Sequence, residues 1–242
     1  GGYGGSVTNP LNALSGIIAQ LLDENGRITI PGFYDDVVPM TQEERSAYAK
    51  LPFDEAGYKS RLGVADLTGE TGFTALERVW ARPTLDVNGL LGGFTGEGSK
   101  TIVPSKGMAK VSMRLVPDQD PNKIAEMFES HVRSLAPPGV TVEFIRHGAG
   151  KPFLTPQDHP YIQAAGRALQ KGFGKPPVFI REGGSIPVVA TFQETLNLPT
   201  VLMGFGLPDC NAHAPNEKFN LENFYRGIAS AAWFYHELNA GS

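Results

Sequence analysis

The hydrophobic periodicity of this chain changes near residue 150, and this change limits the folds that the chain can adopt. Before that point, a helical apolar face is followed by two strand-like runs, TLDVNGLLGGF and AKVSMRLVP. After it, helical patterns over 160–172, 186–196 and 221–238 alternate with short apolar runs over 177–181 and 200–205. The first pattern is typical of an α+β unit with an antiparallel sheet, and the second of an α/β layer with a largely parallel sheet. We therefore predict two domains, 1–150 and 151–242, with the first inserted into the second.

Capping residues predict where the helices of the first domain begin. Asn9 and Pro10 open a helix predicted over 9–26, with Asn25-Gly26 as its exit. Thr41 and Glu44 have the spacing of a capping box and predict a short helix through residue 50. Further short helices are expected near 54–62 and 74–80, and Asp120-Pro121 starts another. The apolar face of that last helix, and the strand VTVEFIRH predicted after it, complete the first domain; the face consists of Ile124, Met127, Phe128 and Val132.

Composition excludes several classes of protein. Apolar residues make up 41% and charged residues 19% of the 242 residues, which is typical of a globular chain and not of a disordered one. A net charge of −4 without a basic run argues against a nucleic-acid surface or a polybasic membrane patch. No apolar run approaches the roughly 18 residues needed to cross a bilayer. A single cysteine forms no internal disulfide, so a cytoplasmic setting is expected.

The stretch REGGSIPV, residues 181–188, is predicted to form a turn from a strand into a helix. Ser185 is placed to cap the helix, while Gly183 and Gly184 allow a ligand to approach the backbone closely. Free amides at a helix start favour an anion, and a substrate carboxylate is one that fits. A plain turn with a serine cap explains the same residues, so the local chemistry leaves both interpretations open.

His213 lies in a polar loop, four residues after Asp209 and three after Cys210. Loops that follow buried strands often carry the chemistry of α/β proteins, and a neutral imidazole there is a candidate zinc ligand. A lone loop histidine is more often not a ligand. Cys210 and His213 also have the spacing of a two-ligand element or of a thiol with its base, but both patterns lack the further partners that such sites require.

Arg114 lies within the strand-like run AKVSMRLVP, so it is either at an exposed edge or directed inward to bind a carboxylate. Thr101 follows a glycine-rich loop, where strand propensity alone explains it. The remaining histidines are interpreted as structural or solvated; they are His131, His147, His159 and His236.

Several words of the sequence, taken together and in order, resemble the M20 family of zinc metallopeptidases, especially its branch of cytosolic dipeptidases and carnosinases. They are YGGSVTNPLNAL, WARPTLDVNGLLGG, GEGSKTIVPSKGMAKVSMRLVP, REGGSIPV and NAHAPNEKF, and they extend over nearly the whole chain. The resemblance implies an α/β catalytic domain with two zinc ions and an inserted α+β lid, which packs against its copy in a homodimer. On this basis, residues 1–150 correspond to the lid without its first strand, and residues 151–242 to the end of the catalytic domain.

The resemblance also implies roles for individual residues. His213 corresponds to the last zinc ligand, whereas Thr101, Arg114 and Ser185, with Gly184 in the same turn, correspond to substrate-binding positions. Arg114 and Ser185 would lie near the carboxylate of a dipeptide or short peptide. In the family a histidine-serine-glycine stretch precedes the first word, and this chain starts at that glycine. The other metal ligands and the general base lie further upstream. We therefore expect a fragment or processed chain that is inactive alone, with its zinc ions absent or partial.

Three alternatives remain open at this stage. One alternative is that the parent protein hydrolyses dipeptides, and a second is that it removes acyl or succinyl groups from amino acids on a similar scaffold. The third is that the chain itself serves only as a dimerisation and substrate-contact module. A binding protein that has lost its chemistry is disfavoured because the metal-ligand position is retained as His213.

Overall fold

The computed structural model describes residues 1–181 and 186–240. The chain divides into two compact units: a first unit of Gly1–Phe153 with Arg181–Pro187, and a second unit of Leu154–Ile180 with Val188–Ser242. The chain therefore enters the first unit again at Arg181, which the sequence analysis did not anticipate. No helix among the described residues is long and apolar enough to cross a membrane.

Five helices lie within the described part of the first unit, and local capping chemistry explains where they begin. The side chain of Asn9 accepts a hydrogen bond from the Leu11 amide at 2.9 Å, and Thr41 and Glu44 form the predicted reciprocal capping box. These predicted starts are confirmed, as are the short helices expected near 54–62 and 74–80. The helices are α1 (Pro10–Ala19), α2 (Gln42–Ala49), α3 (Glu55–Leu62), α4 (Ala75–Ala81) and α5 (Pro121–Leu135).

The predicted end of the first helix was wrong, because α1 stops at Ala19 and not near residue 26. The carboxylate of Asp23 accepts hydrogen bonds from the amides of Asn25 and Arg27 at 2.9 and 2.8 Å, which turns the chain back on itself. An antiparallel bridge then joins Leu22 to Ile28. A side chain that bonds the backbone nearby competes with the helix, and this competition is not visible in the apolar spacing.

The two predicted strands of the first unit form an antiparallel sheet. They are β1 (Thr84–Gly92) and β2 (Gly107–Arg114), with Thr84 opposite Arg114 and an irregularity between Val87 and Gly89. One face of the sheet packs on a core formed with α1 and α5. The most buried core residues are Ile17, Leu21, Ile28, Ile30, Phe33, Leu85, Ile124 and Val132. The mixed helices and antiparallel sheet confirm the α+β class predicted for this part of the chain.

The predicted strand over 140–147 is not formed. Val142 and Phe144 pack against the core, but the Val142 carbonyl accepts a hydrogen bond from the Arg133 side chain at 2.9 Å. The alternating apolar pattern correctly predicted which side chains are covered. A strand also needs a second backbone alongside, which periodicity does not supply.

The second unit is built from α6 (Pro160–Phe173), α7 (Pro187–Leu196) and α8 (Leu221–Ala240). Helix α6 packs on α8 through small buried residues, and a Cβ on Gly172 would lie only 2.0 Å from the Ser230 hydroxyl oxygen. The runs over 177–181 and 200–205 were predicted as strands, but the described residues there form no ladder. Instead, side chains bond to this backbone: Thr155 donates to the Thr200 carbonyl at 2.6 Å.

Candidate functional site

Arg114 ends β2 on the exposed face of the sheet. Its neighbour Met113 points the other way and packs against the core, as the alternation of a strand requires. The Arg114 guanidinium makes one long hydrogen bond, at 3.4 Å, to the Val79 carbonyl. The Arg114 side chain is exposed, and its role in binding a carboxylate stays a prediction. A lightly bonded, solvent-facing guanidinium retains donors that a carboxylate ligand can accept.

The surroundings of Arg114 are polar and lightly charged. Thr84 lies directly opposite it and donates a hydrogen bond from its hydroxyl to the Asp86 carboxylate at 3.0 Å. Lys110 occupies the same exposed face of β2, four residues before Arg114. This face therefore presents two cations on one strand, which offers an internal comparison for any test of anion binding.

Thr101 is exposed in the loop between β1 and β2, and the start of the chain lies against it. A Cβ on Gly1 would lie 2.3 Å from the Thr101 carbonyl oxygen, a distance that backbone atoms do not tolerate. Only glycine fits at this contact. The structure thus brings Gly1, two residues before the YGG word, against Thr101 of the GSKT word.

His213 belongs to the second unit, in a loop whose base is closed by hydrogen bonds. The Lys218 amide donates to the Cys210 carbonyl at 2.9 Å, and the Lys218 ammonium contacts the Asp209 carboxylate at 2.6 Å. His213 is exposed and has a φ of +62°, a left-handed conformation that non-glycine residues adopt rarely and at a cost in free energy. The bonds at the base of the loop and the left-handed backbone at His213 together fix the direction in which the imidazole leaves the backbone.

The loop is also fixed at its exit into α8. The Asn220 side chain accepts a hydrogen bond from the Asn223 amide at 2.9 Å and so caps the start of α8. The Asn223 side chain in turn donates to the Phe205 carbonyl at 2.9 Å. Hydrogen bonds therefore fix both ends of the segment that carries His213.

A metal ion needs more donors than this loop brings together. Zinc sites in proteins use three or four protein ligands, and the described residues contain no cluster of three or more His, Cys, Asp or Glu side chains suited to a metal. Cys210, which is half-buried, is a free thiol. The described residues alone therefore do not fit a zinc ion, and the role of His213 as a ligand stays a prediction.

Two surface depressions occur away from the predicted site residues. One, of about 500 Å³, lies in the first unit beside Arg45, Phe73 and Glu77. The other, of about 470 Å³, lies in the second unit beside Phe205 and Arg226. Thr101, Arg114 and His213 line neither depression.

Ser185 and Gly184 lie outside the described residues, so their predicted roles are not addressed by the structure. The residue that precedes this stretch, Arg181, is described and is nearly buried, with 6% of its side chain exposed. It forms a two-pronged ion pair with Glu44 of α2, with both nitrogen–oxygen distances at 2.6 Å. Sequence reasoning assigned Glu44 only a capping role and missed this pair. The available signal was a cation directly after the apolar run PVFI, where burial would demand a partner.

The electrostatics of this ion pair follow from its contacts. Burial raises the pKa of the Glu44 carboxyl, but hydrogen bonds from Arg181 and from the Thr41 amide outweigh burial, and the pKa lies below its ordinary value. Burial also raises the pKa of the Tyr48 hydroxyl, which accepts a hydrogen bond from the Arg181 amide at 3.0 Å. At neutral pH the carboxylate is thus charged and the phenol neutral, which suits both as acceptors for Arg181.

Comparison with known families gives a match over the first unit. Residues 1–140 match the family model described as the M20 peptidase dimerisation domain. Among curated relatives, a Cys-Gly metallodipeptidase of Schizosaccharomyces pombe is 33% identical over 98% of this chain and 51% of its own length. The human Beta-Ala-His dipeptidase is 30% identical over 98% of this chain and 48% of its own length. The chain therefore spans about half the length of the curated relatives it matches.

Solved structures give the same likeness. An M20 family metallo-carboxypeptidase from Sulfolobus solfataricus matches with a TM-score of 0.82 and 33% identity, over 96% of this chain and 53% of that one. Human carnosine dipeptidase 1 matches with a TM-score of 0.75 and 29% identity, over 98% of this chain and 51% of that one.

Proposed function

This chain belongs to the M20 peptidase family, and from that membership we propose that it forms the lid and the carboxyl-terminal catalytic part of a dipeptidase. The reaction is hydrolysis of dipeptides or short peptides that have a free C-terminal carboxylate. The observation that carries the proposal is that relatives matching nearly the whole chain are named as dipeptidases. The lid corresponds to 1–150 and the catalytic part to 151–242.

The proposed role of the first unit is to bind the C-terminal end of the peptide substrate, which does not react. Arg114 supplies an exposed guanidinium for the terminal carboxylate. Thr101 lies in the loop at the opposite end of the β1–β2 hairpin and is proposed as a separate substrate contact. Ser185 and Gly184 belong to the same proposal, as a turn that binds the carboxylate. Holding the substrate at a part that does not react fixes the position of the scissile bond, which lowers the entropic barrier to its hydrolysis.

The proposed role of His213 is to provide one metal ligand. A neutral imidazole suits zinc, which is also the metal of the family that the sequence resembles. Since the described residues do not complete a site, we derive no step through the metal. Two zinc ions per complete enzyme, a homodimer formed through the lid and a cytoplasmic setting are part of the proposal. The dimer is supported by the match of residues 1–140 to a dimerisation domain.

That same match favours a second candidate function. In this candidate, the chain alone acts as a dimerisation and substrate-contact module without catalysis. It is supported because the matched model describes dimerisation and covers most of the first unit. Measuring zinc content and dipeptide hydrolysis for this chain, and for the full-length protein, separates the two. About two zinc ions per chain, together with hydrolysis by the chain alone, would contradict the module. A full-length protein that cleaves acyl-amino acids faster than dipeptides would contradict the dipeptidase.

The role of Arg114 gives the sharpest test of the site. Hydrogen bonds to charged groups contribute about 1.5–3 kcal/mol, so Arg114→Ala should raise KM for dipeptides about tenfold or more and lower kcat/KM. Lys110→Ala is the matched control, because it removes a cation from the same face of β2 without removing the proposed contact. An unchanged kcat/KM in the Arg114 variant would remove this residue from the site.

A further inference from the structure

The depression of about 500 Å³ in the first unit lies between α2 and the start of α4. From α2 it is lined by Gln42, Arg45 and Ser46, whose spacing places them on one face of the helix. Phe73 and Glu77 line it from the other side. A volume of this size is typical of sites that bind small molecules, which use a few polar groups against an apolar surface.

The Arg45 guanidinium is held in place but keeps most of its donors free. Its central carbon lies 5.0 Å from the centre of the Phe73 ring, and its ion pair with Glu77 is long, at 3.6 Å from Nη1 to Oε1. Arg82 lies over the same ring at 4.4 Å, but it makes two hydrogen bonds of 2.7 Å to Glu70. The Arg45 guanidinium makes no hydrogen bond to any described residue, and 38% of its side chain is exposed. A ligand can therefore supply the acceptor that the protein does not.

The Glu77 carboxylate has one oxygen engaged and one open. Oε2 accepts a hydrogen bond from the Thr74 amide at 2.8 Å, whereas Oε1 has only the long contact with Arg45. The side chain is 6% exposed, yet no fully buried side-chain oxygen in the described part of the chain lacks a hydrogen bond. Oε1 is therefore accessible. Because Glu77 lines the depression, a donor can reach Oε1 from there.

The two open groups have opposite charges and lie side by side, which restricts the ligand. Glu77 would repel an anion bound at Arg45, and Arg45 would repel a cation bound at Glu77. A zwitterion meets neither repulsion, because its carboxylate accepts hydrogen bonds from the guanidinium while its ammonium donates to Oε1. An α-amino acid carries both groups on one carbon atom, so its charges are adjacent, as those of the protein are. Phe73 and Ala49 supply apolar surface for its side chain.

We propose that the depression between α2 and α4 is a binding site for a free α-amino acid with an apolar side chain. Arg45 binds the carboxylate and Glu77 binds the ammonium. The side chains of Gln42 and Ser46 make no hydrogen bond to other described residues, so they offer further polar atoms at the site. Free amino acids are also the products of the proposed hydrolysis, but binding at this site does not require that reaction.

The experiment measures the binding of three related compounds to the 242-residue chain by ligand-observed NMR titration. L-Leucine carries both charges, N-acetyl-L-leucine lacks the ammonium, and L-leucinamide lacks the carboxylate. We expect leucine to bind with a Kd at least about tenfold lower than that of either derivative, because each derivative loses a hydrogen bond between charged groups. The assay involves no hydrolysis, so its result does not depend on the proposed function.

Two variants test the protein side of the site. Arg45→Gln removes the guanidinium, and Glu77→Gln keeps an oxygen for the Thr74 amide but removes the charge. Each should raise the Kd for leucine about tenfold or more. Since Arg45 is partly exposed, Arg45→Gln still tests the site if the loss of the buried Glu77 charge unfolds the unit.

Arg61→Gln is the matched control. Arg61 is an exposed arginine of α3 that lies over the Tyr58 ring at 5.4 Å, and it does not line the depression. It should leave the Kd for leucine unchanged. Absence of leucine binding to the wild type, or equally tight binding of either derivative, would overturn the proposal. An unchanged Kd in Arg45→Gln would place leucine elsewhere and overturn it as well.

Discussion

Replacing Glu70 with glutamine should destabilise the first unit by a predictable amount. Glu70 is buried, and its carboxylate accepts two hydrogen bonds from Arg82 at 2.7 Å and one from Arg27 at 3.0 Å. The Arg82 side chain is only 11% exposed and lies over the rings of Tyr34 and Phe73, so it cannot turn to water. Breaking a buried pair by removing one charge costs about 3–5 kcal/mol. The half-exposed Arg27 adds at most about 1 kcal/mol.

Glutamine keeps one acceptor oxygen, so we expect the lower end of this range, about 3 kcal/mol. With a urea m-value of roughly 2 kcal/mol/M, the unfolding midpoint should fall by about 1.5 M. The chain has two tryptophans, Trp80 in the first unit and Trp233 in the second. Fluorescence in a Trp233→Phe background therefore reports on the first unit alone.

The matched control for this prediction is Glu55→Gln. Glu55 is 61% exposed and pairs with Lys59 at 3.5 Å along α3, an arrangement that contributes only about 0.3–0.5 kcal/mol. Its midpoint should hardly move. If Glu70→Gln shifts the midpoint no more than Glu55→Gln does, the buried pair is not the source of stability that its geometry indicates.

Three further predictions concern pH and packing. The pKa of Glu44 is lowered in the folded state, so its ion pair with Arg181 stabilises the first unit at pH values above the ordinary pKa of 4.5 and stops doing so as the pH falls further. Between pH 5.5 and 3.5, the free energy of unfolding measured in urea should therefore fall more for the wild type than for Glu44→Gln. Hydrogen bonds from Lys171 and Arg167 lower the pKa of Glu237 to about 2. The free energy of unfolding of the second unit, followed by Trp233 fluorescence, should therefore fall between pH 4.5 and 2, and it should fall less in Glu237→Gln. Gly172→Ala should lower the thermal midpoint of the second unit by circular dichroism, whereas Gly174→Asn, at a left-handed helix end with open space, should change it little.

The features that could be predicted from the sequence are those formed by residues only a few positions apart. The capping box joins Thr41 to Glu44, and the cap of α1 joins Asn9 to Leu11, so each can be recognised in one short window. The alternation of β2 separates Arg114 from Met113 locally, but which of the two faces is exposed was left open by the sequence. Where a nearby side chain competes for the backbone, as Asp23 does, the same kind of pattern extended the helix too far.

Features that depend on distant partners could not be predicted. The runs over 177–181 and 200–205 have the composition of strands, but a ladder depends on what lies beside them. The contact of Gly1 with the Thr101 carbonyl joins residues a hundred positions apart, and no local pattern predicts it. For the candidate site, residue types were therefore accessible from the sequence, while their partners were not. Arg181 is the clearest example, because its apolar preceding run predicts burial but gives no indication that the partner is Glu44.

Among the residues that the structure describes, two arginine–glutamate pairs of the first unit have both side chains largely buried. The pair of Glu70 with Arg82 joins residues 12 apart, both within the continuous part of the unit. The pair of Glu44 with Arg181 joins residues 137 apart and attaches the chain at Arg181 to α2. Because the cost of breaking a buried pair depends on the charge left without a partner and not on sequence separation, Glu44→Gln should lower the urea midpoint of the first unit by about as much as Glu70→Gln. A shift no larger than that of Glu55→Gln would show that the pair of Glu44 with Arg181 does not stabilise the unit.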